Sequence, residues 1–218
     1  MITIQGQELI AVLKDMLRTA SSDTSFPMMN SVHLHQKHNR LYITSTNRHT
    51  LAQCWTEVGK SDTAMLDDEV NVPATLLWRA DVYRLQRQLE ARTSSFYPRG
   101  EVTLSREGDT FVVEDELDRL TLPISPAVFP GHIARIVGKA MAAGPGDFCA
   151  MNASFLKELA LIAWRRQASM DFVLGNVERN QPSVIRIGPQ YQALIMPIRK
   201  DPEPYEWSFE PFERQADA

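Results

Sequence analysis

Cysteine is scarce in this sequence: Cys54 and Cys149 are the only two among 218 residues. Two thiols do not make a disulfide framework in a chain of this length, which points to a reducing, cytoplasmic setting. Long apolar runs are also missing. No stretch reaches the roughly 20 uninterrupted apolar residues of a membrane helix, and the opening MITIQGQELI lacks the basic-then-apolar layout of a signal peptide. There is no glycine-rich phosphate loop, no dinucleotide fingerprint and no nucleophile elbow. Neither cysteine has a neighbour that reads as an activating base, so both are expected to be small core residues. His33, His35 and His38 cluster without a Cys, Asp or Glu at ligand spacing, which favours a surface strand over a metal site. Glu114, Asp115, Glu116 and Asp118 fall in a hairpin turn and read as solvated. The expectation is a non-enzymatic protein with no metal and no cofactor. Positive charge is in deficit too. A formal net charge of −4 argues against coating nucleic acid by bulk charge, although a basic stripe on one face is still allowed.

What is present is a repeat. Three times a short apolar run leads into an amphipathic helix, and a hairpin follows. Ile2-Thr3-Ile4 precedes a helix near Gln7–Ala20, and Val70-Asn71-Val72 precedes Pro73 and a helix near Ala74–Arg92. Phe148-Cys149-Ala150-Met151 precedes Asn152 and a helix near Ala153–Gln167. Pro73 suits a first helical position and Asn152 an N-cap. Strands are expected at Ser31–His35, Leu41–Thr46 and Thr50–Val58 in the first unit, and at Glu101–Ser105, Thr110–Glu114 and Arg119–Ile124 in the second. The third unit has Met170–Leu174, Ser183–Ile187 and Tyr191–Ile198. The fold class is α+β: repeated βαβββ units, with antiparallel sheets outside and helices on one face. The units divide the chain into 1–130 as a two-unit domain, 131–145 as a connector with a short helix at His132–Met141, 146–200 as a third unit, and 201–218 as a tail.

Charge is distributed unevenly over these elements. The three helices carry nine basic and five acidic residues, while the rest of the chain carries 14 basic and 22 acidic. On the first helix Ile10, Leu13 and Leu17 form the apolar stripe, and Gln7, Ala11, Lys14 and Arg18 line another face. On the second, Trp78, Val82, Leu85 and Leu89 form the stripe, with Arg84 and Arg87 roughly opposite. Helices packed by one face and basic on the other can meet a phosphate backbone without reading bases. This nominates Lys14, Arg18, Arg79, Arg84, Arg87, Lys157, Arg165 and Arg166 for sequence-independent contact with double-stranded DNA. A solvated helix face rich in good helix formers is the other reading of the same charges. On the third helix Phe155, Leu159 and Ile162 make a core stripe. Leu161 and Trp164 fall off it, to pack under the connector or against another subunit.

Several segments resemble the bacterial β sliding clamps. Phe26-Pro27-Met28-Met29-Asn30-Ser31-Val32 followed by Arg40–Thr46 is similar to the Leu-Pro-x-Leu-x-Asn turn and "L-x-L-T-x-T-D" strand of the first clamp domain. Arg119–Pro123 continuing to Phe129-Pro130 resembles that domain's end, and Ala193-Leu194-Ile195-Met196-Pro197-Ile198-Arg199 resembles the "V-V-M-P-M-R" strand that ends clamps. The resemblance implies a ring or partial ring of repeated domains, helices lining a basic pore, and a homo-oligomer that holds partners at DNA. It also implies that Leu194, Met196, Pro197, Ile198 and Arg199 help form a groove for a DNA polymerase or other clamp-binding peptide. The sequence departs from the pattern in having three units rather than six, Asn47 for the usual Asp, and Asp23-Thr24-Ser25 where clamps often carry a DNA-contacting Arg. These departures leave an alternative, a non-encircling clamp-like regulator that binds replication proteins or inhibits a host clamp. The tail sets Tyr205, Trp207, Phe209 and Phe212 among six acids and one base, a composition suited to docking as an extended peptide.

Overall fold

The computed structural model describes residues 1–59, 73–91, 100–129, 151–175 and 181–198. The first unit runs β1 (Ile2–Gln5), α1 (Gly6–Thr19), β2 (Ser31–Lys37), β3 (Arg40–Thr46) and β4 (Thr50–Glu57). The second runs β5 (Thr75–Trp78), α2 (Arg79–Ala91), β6 (Glu101–Glu107), β7 (Thr110–Glu114) and β8 (Arg119–Pro123). The third has α3 (Ala153–Arg166), β9 (Met170–Val173), β10 (Ser183–Ile187) and β11 (Tyr191–Ile195).

The hairpins alternate apolar-in and polar-out, as a half-buried sheet requires. In β4 the inward Thr50, Ala52, Cys54 and Thr56 are buried, while the residues between them are partly exposed. Tight turns set the registers. Gly108 joins β6 to β7 and Gly188 joins β10 to β11, each at φ +59°, which glycine adopts without a Cβ penalty.

Leading strands are exchanged between the first two units. β1 pairs antiparallel with β6, Ile2 opposite Leu104, and β5 pairs with β2, Val32 opposite Leu77. The result is a four-stranded sheet, β1-β6-β7-β8, and a seven-stranded sheet, β5-β2-β3-β4-β11-β10-β9. The second sheet is continuous because β11 lies against β4, Leu194 opposite Leu51 and Tyr191 opposite Cys54. One buried core runs under all three units, taking Leu13 and Met16 from α1, Leu85 and Leu89 from α2, and Leu159 and Ile162 from α3.

The second helix begins later than its sequence pattern suggests. Residues 75–78, expected inside a helix opening at Pro73, form β5, and α2 starts at Arg79. Here Thr75–Trp78 finds a complete antiparallel partner in Ser31–Leu34, and ladder hydrogen bonds with burial outweigh local helical periodicity. Pro73 therefore precedes a strand, its carbonyl accepting from the Thr75 hydroxyl at 2.7 Å. Trp78 closes β5 instead of joining the helix stripe, while Val82, Leu85 and Leu89 are buried as expected. The strand expected through Ile198 ends at Ile195. Asn152 does cap its helix, its Oδ1 accepting from Ser154 N at 2.9 Å. The runs 70–72 and 148–150, the connector helix and the tail lie outside the described residues.

Candidate functional site

All three helices lie on one face of the sheets in the order α2, α1, α3, and ion pairs cross each seam. Lys14 of α1 pairs with Glu90 of α2, and Arg18 of α1 donates to Glu158 of α3 at 2.7 Å. Along α2, Arg84 pairs with Asp81 at 3.0 Å and Arg87 reaches Glu90 at 3.4 Å, the one-turn spacing that brings helical side chains together. Arg84 and Arg87 remain open to solvent, with side chains 57% and 66% exposed. Lys157 is exposed on α3, and half-buried Arg79 opens α2. Five of the eight nominated cations thus stand exposed or part-exposed on the helices, Lys14, Arg18, Arg84, Arg87 and Lys157, while Arg79 is half-buried with its Nε buried.

Arg165 and Arg166 require a correction. Expected on the solvent side of their helix, they turn inward onto fully buried Asp15 of α1. Arg166 Nε donates to Asp15 Oδ2 at 2.8 Å, and Arg165 pairs with Oδ1. Their side chains are only 15% and 26% exposed. A carboxylate removed from water is costly unless charge-assisted partners surround it, so Asp15 draws both guanidiniums across the seam. Arg166 also lies 5.4 Å from the Tyr191 ring centroid. Burial raises the hydroxyl pKa of Tyr191 well above its ordinary value. This cluster joins α1, α3 and β11, and holds the third unit on the first.

On the far side of the sheet, β11 runs out beside the turn between β3 and β4. Asn47 Oδ1 accepts from the backbone N–H groups of His49 at 3.1 Å and Thr50 at 2.8 Å, so Asn meets the turn's needs where the clamp pattern has Asp. Arg48, at φ +77°, lays its guanidinium 3.5 Å from the Phe26 ring centroid. The His49 ring stacks on Phe155 at 5.6 Å, and its carbonyl accepts from Met196 N at 2.8 Å. Leu51, Val173, Val184 and Leu194 form a small apolar patch separate from the main core. Of the expected groove residues, Leu194 is buried in this patch, while Met196, Pro197 and Ile198 stay partly open beside the 47–49 turn. Arg199 lies outside the described residues. His49 and Leu51 were not anticipated as neighbours of the terminal strand. Their placement follows from the β4–β11 pairing, which joins segments about 140 residues apart and leaves no local trace.

His33 and His35 are held in an aromatic stack. Phe129, His33, His35 and Tyr42 stack in sequence with centroids 4.7, 5.3 and 5.1 Å apart. Burial, and next the neighbouring His35 charge, push His33 down to about 4. No group of three or more His, Cys, Asp or Glu is poised for a metal among the described residues. Burial pushes the Cys54 thiol up to about 12, leaving it protonated and unreactive at neutral pH.

Solved structures share this architecture. The chain matches the DNA polymerase III β subunit of Thermotoga maritima with a TM-score of 0.69 at 12% identity, over 92% of this chain and 66% of that one. The Bacillus subtilis sliding clamp matches at 0.70 and 10% identity over 92% and 64%. The β sliding clamp of Caulobacter crescentus matches at 0.68 and 15% identity over 91% and 65%. This is the sliding-clamp fold. The chain spans just under two thirds of each of these clamps. No family model matches the sequence, and no curated protein matches it. At 10–15% identity the likeness is one of fold, with few residues in common.

Proposed function

We propose that this chain is a non-enzymatic, DNA-associated tether of the clamp type. It assembles with further copies into a ring or partial ring, and its helix wall faces duplex DNA in a cytoplasmic setting. The reading is supported by the exposure or part-exposure of Lys14, Arg18, Arg84, Arg87 and Lys157 on three neighbouring helices of a sliding-clamp fold. Such a wall touches phosphates without reading bases. Five phosphate contacts make association fall by roughly two to three orders of magnitude between ~50 and ~200 mM salt. Topological encirclement behaves differently, since a closed ring stays on a closed circle after its phosphate contacts weaken. The groove beside Met196, Pro197 and Ile198 takes a short apolar peptide from a polymerase or another clamp-binding partner. Its lining combines the half-buried strand end with the apolar patch of Leu51, Val173, Val184 and Leu194.

The test is retention on closed circular against linearised DNA of one sequence, across a salt series. Retention on circles with rapid loss from linear ends supports encirclement. Equal, salt-sensitive loss from both removes it.

A second reading is favoured by one specific observation: the wall is heavily neutralised. Glu90, Asp81 and Glu158 face its cations, and Asp15 withdraws two more arginines. In this reading the chain encircles nothing and acts as a clamp-like regulator, binding replication proteins or inhibiting a host clamp through the same outer groove. No association with either DNA form, together with capture of a clamp-binding peptide, selects it.

A further inference from the structure

The cluster that joins α1 to α3 is unbalanced in charge. Fully buried Asp15 supplies one negative charge, and Arg165 and Arg166 bring two positive ones to it. The other carboxylates of the two helices are engaged elsewhere, Glu8 by the Thr56 hydroxyl at 2.9 Å and Glu158 by Arg18. One positive charge is therefore left over in surroundings with little water, where an uncompensated ion is costly. Burial, and next the Arg166 charge, push Arg165 below its ordinary pKa, as expected of two guanidiniums held side by side.

Hydrogen-bond donors are in surplus at the same place. Arg166 Nε is satisfied by Asp15 Oδ2, but Arg165 Nε is buried and meets no acceptor among the described residues. The Tyr191 hydroxyl is buried too and finds no acceptor: its neighbour, the Thr19 hydroxyl, is turned to Met16 O at 3.3 Å and to Ser45 Oγ. Tyr191 lies within reach of both arginine charges. Buried donors nearly always find a partner in protein or in ordered water, so two orphans beside a surplus charge need an explanation. On its outer side Arg165 borders an open cleft of about 580 Å³, together with Trp164, Gln167 and Ala168. A water entering there accepts from the donors and leaves the charge uncorrected. An anion corrects both.

We propose that this cluster is a binding site for a small monovalent anion of halide size, which enters from the cleft and is held by Arg165 Nε–H and the Tyr191 hydroxyl. With the ion in place the cluster carries two positive and two negative charges, and both orphan donors are used. The class of ligand follows from the same count. One negative charge is missing and two donors are free, and a halide answers them from a single atom. Phosphate or sulfate brings further charge and more oxygens than two donors satisfy, and its remaining oxygens lose their water without compensation. The ion is a structural one, locking α3 onto α1, so the stability of the chain depends on halide concentration. This inference does not rest on the DNA reading, and its salt dependence has the opposite sign: phosphate contacts weaken as chloride rises, whereas the joint between the first and third units strengthens.

The test is thermal unfolding of the full-length chain without DNA, with sodium chloride replacing sodium gluconate at constant ionic strength from about 1 to 200 mM chloride. Binding to the folded state raises the midpoint by about 3–5 °C for each tenfold increase in chloride beyond the dissociation constant. Bromide is expected to replace chloride, and inorganic phosphate is not. In Arg165→Gln, which leaves Asp15 and Arg166 as a one-to-one pair, the chloride dependence is expected to vanish. In Tyr191→Phe, which removes only an unbonded hydroxyl, it is expected to move to higher chloride. If Arg165→Gln fails to fold, Tyr191→Phe decides. A wild-type midpoint that ignores chloride, a dependence unchanged in the folded variants, or stabilisation by phosphate alone overturns the proposal.

Discussion

The first two units bury their helices against each other and exchange a strand in each direction, whereas among the described residues the third unit joins them along one side, through β11 on β4 and α3 on α1. What α1 and α2 achieve largely with apolar flanks, α1 and α3 achieve with a buried carboxylate gripped by Arg165 and Arg166, and with Arg18 reaching Glu158. The contrast shows two ways of joining equivalent units. Apolar burial is non-directional and tolerates small shifts. A buried ion cluster sets one geometry and is severely damaged by loss of a single member.

Asp15→Ala is the sharpest way to break the comparison. It leaves two guanidiniums largely buried without their carboxylate, and a loss of about 3–5 kcal/mol is expected in denaturant unfolding. A loss below about 1 kcal/mol would mean that the β4–β11 pairing alone holds the third unit.

Next in size is a pH effect confined to the first unit. His33 is held near 4 in the folded state against an ordinary value of 6.5, so the unfolded chain binds the extra proton first as pH falls. Stability is fully present above about pH 6.5, declines towards pH 4 and levels off below it, a loss of up to about 3 kcal/mol. His33→Gln should flatten this part of the stability–pH curve, and a curve that keeps its slope would assign the titration elsewhere.

The smallest expected effect is at Arg87, whose pair with Glu90 is largely in water. Arg87→Ala should change stability by less than about 0.5 kcal/mol. In the same variant, the salt dependence of DNA association should fall by about one phosphate contact. If stability moves more than DNA association does, Arg87 belongs to the packing and not to the wall.

Much of the fold was legible because its signals are local. The stripes Ile10-Leu13-Leu17 and Val82-Leu85-Leu89 recur with helical period, and alternation along 31–35 and 50–58 has the period of a half-buried strand. Asn152 announced its helix through an ordinary capping preference. The start of the second helix was misread because Trp78 continues the apolar spacing of Val82 and Leu85, and nothing local shows that Ser31–Leu34 awaits a strand. Arg165 and Arg166 looked solvent-facing for the same reason, since their partner sits 150 residues earlier. One sign was available: Asp15 lies beside Val12, Leu13 and Met16 on a helix with an otherwise apolar buried face, and a carboxylate there needs a cation.

By itself the sequence determined the unit design, the helix and strand periods, and the surplus of positive charge on helices, because these depend on neighbours within a few residues. Only the tertiary structure decided which strands exchange, that β4 and β11 merge two units into one sheet, and which cations face water. Those outcomes depend on pairing and desolvation between segments far apart in the chain, where a side chain's surroundings, and not its spacing, set the free energy.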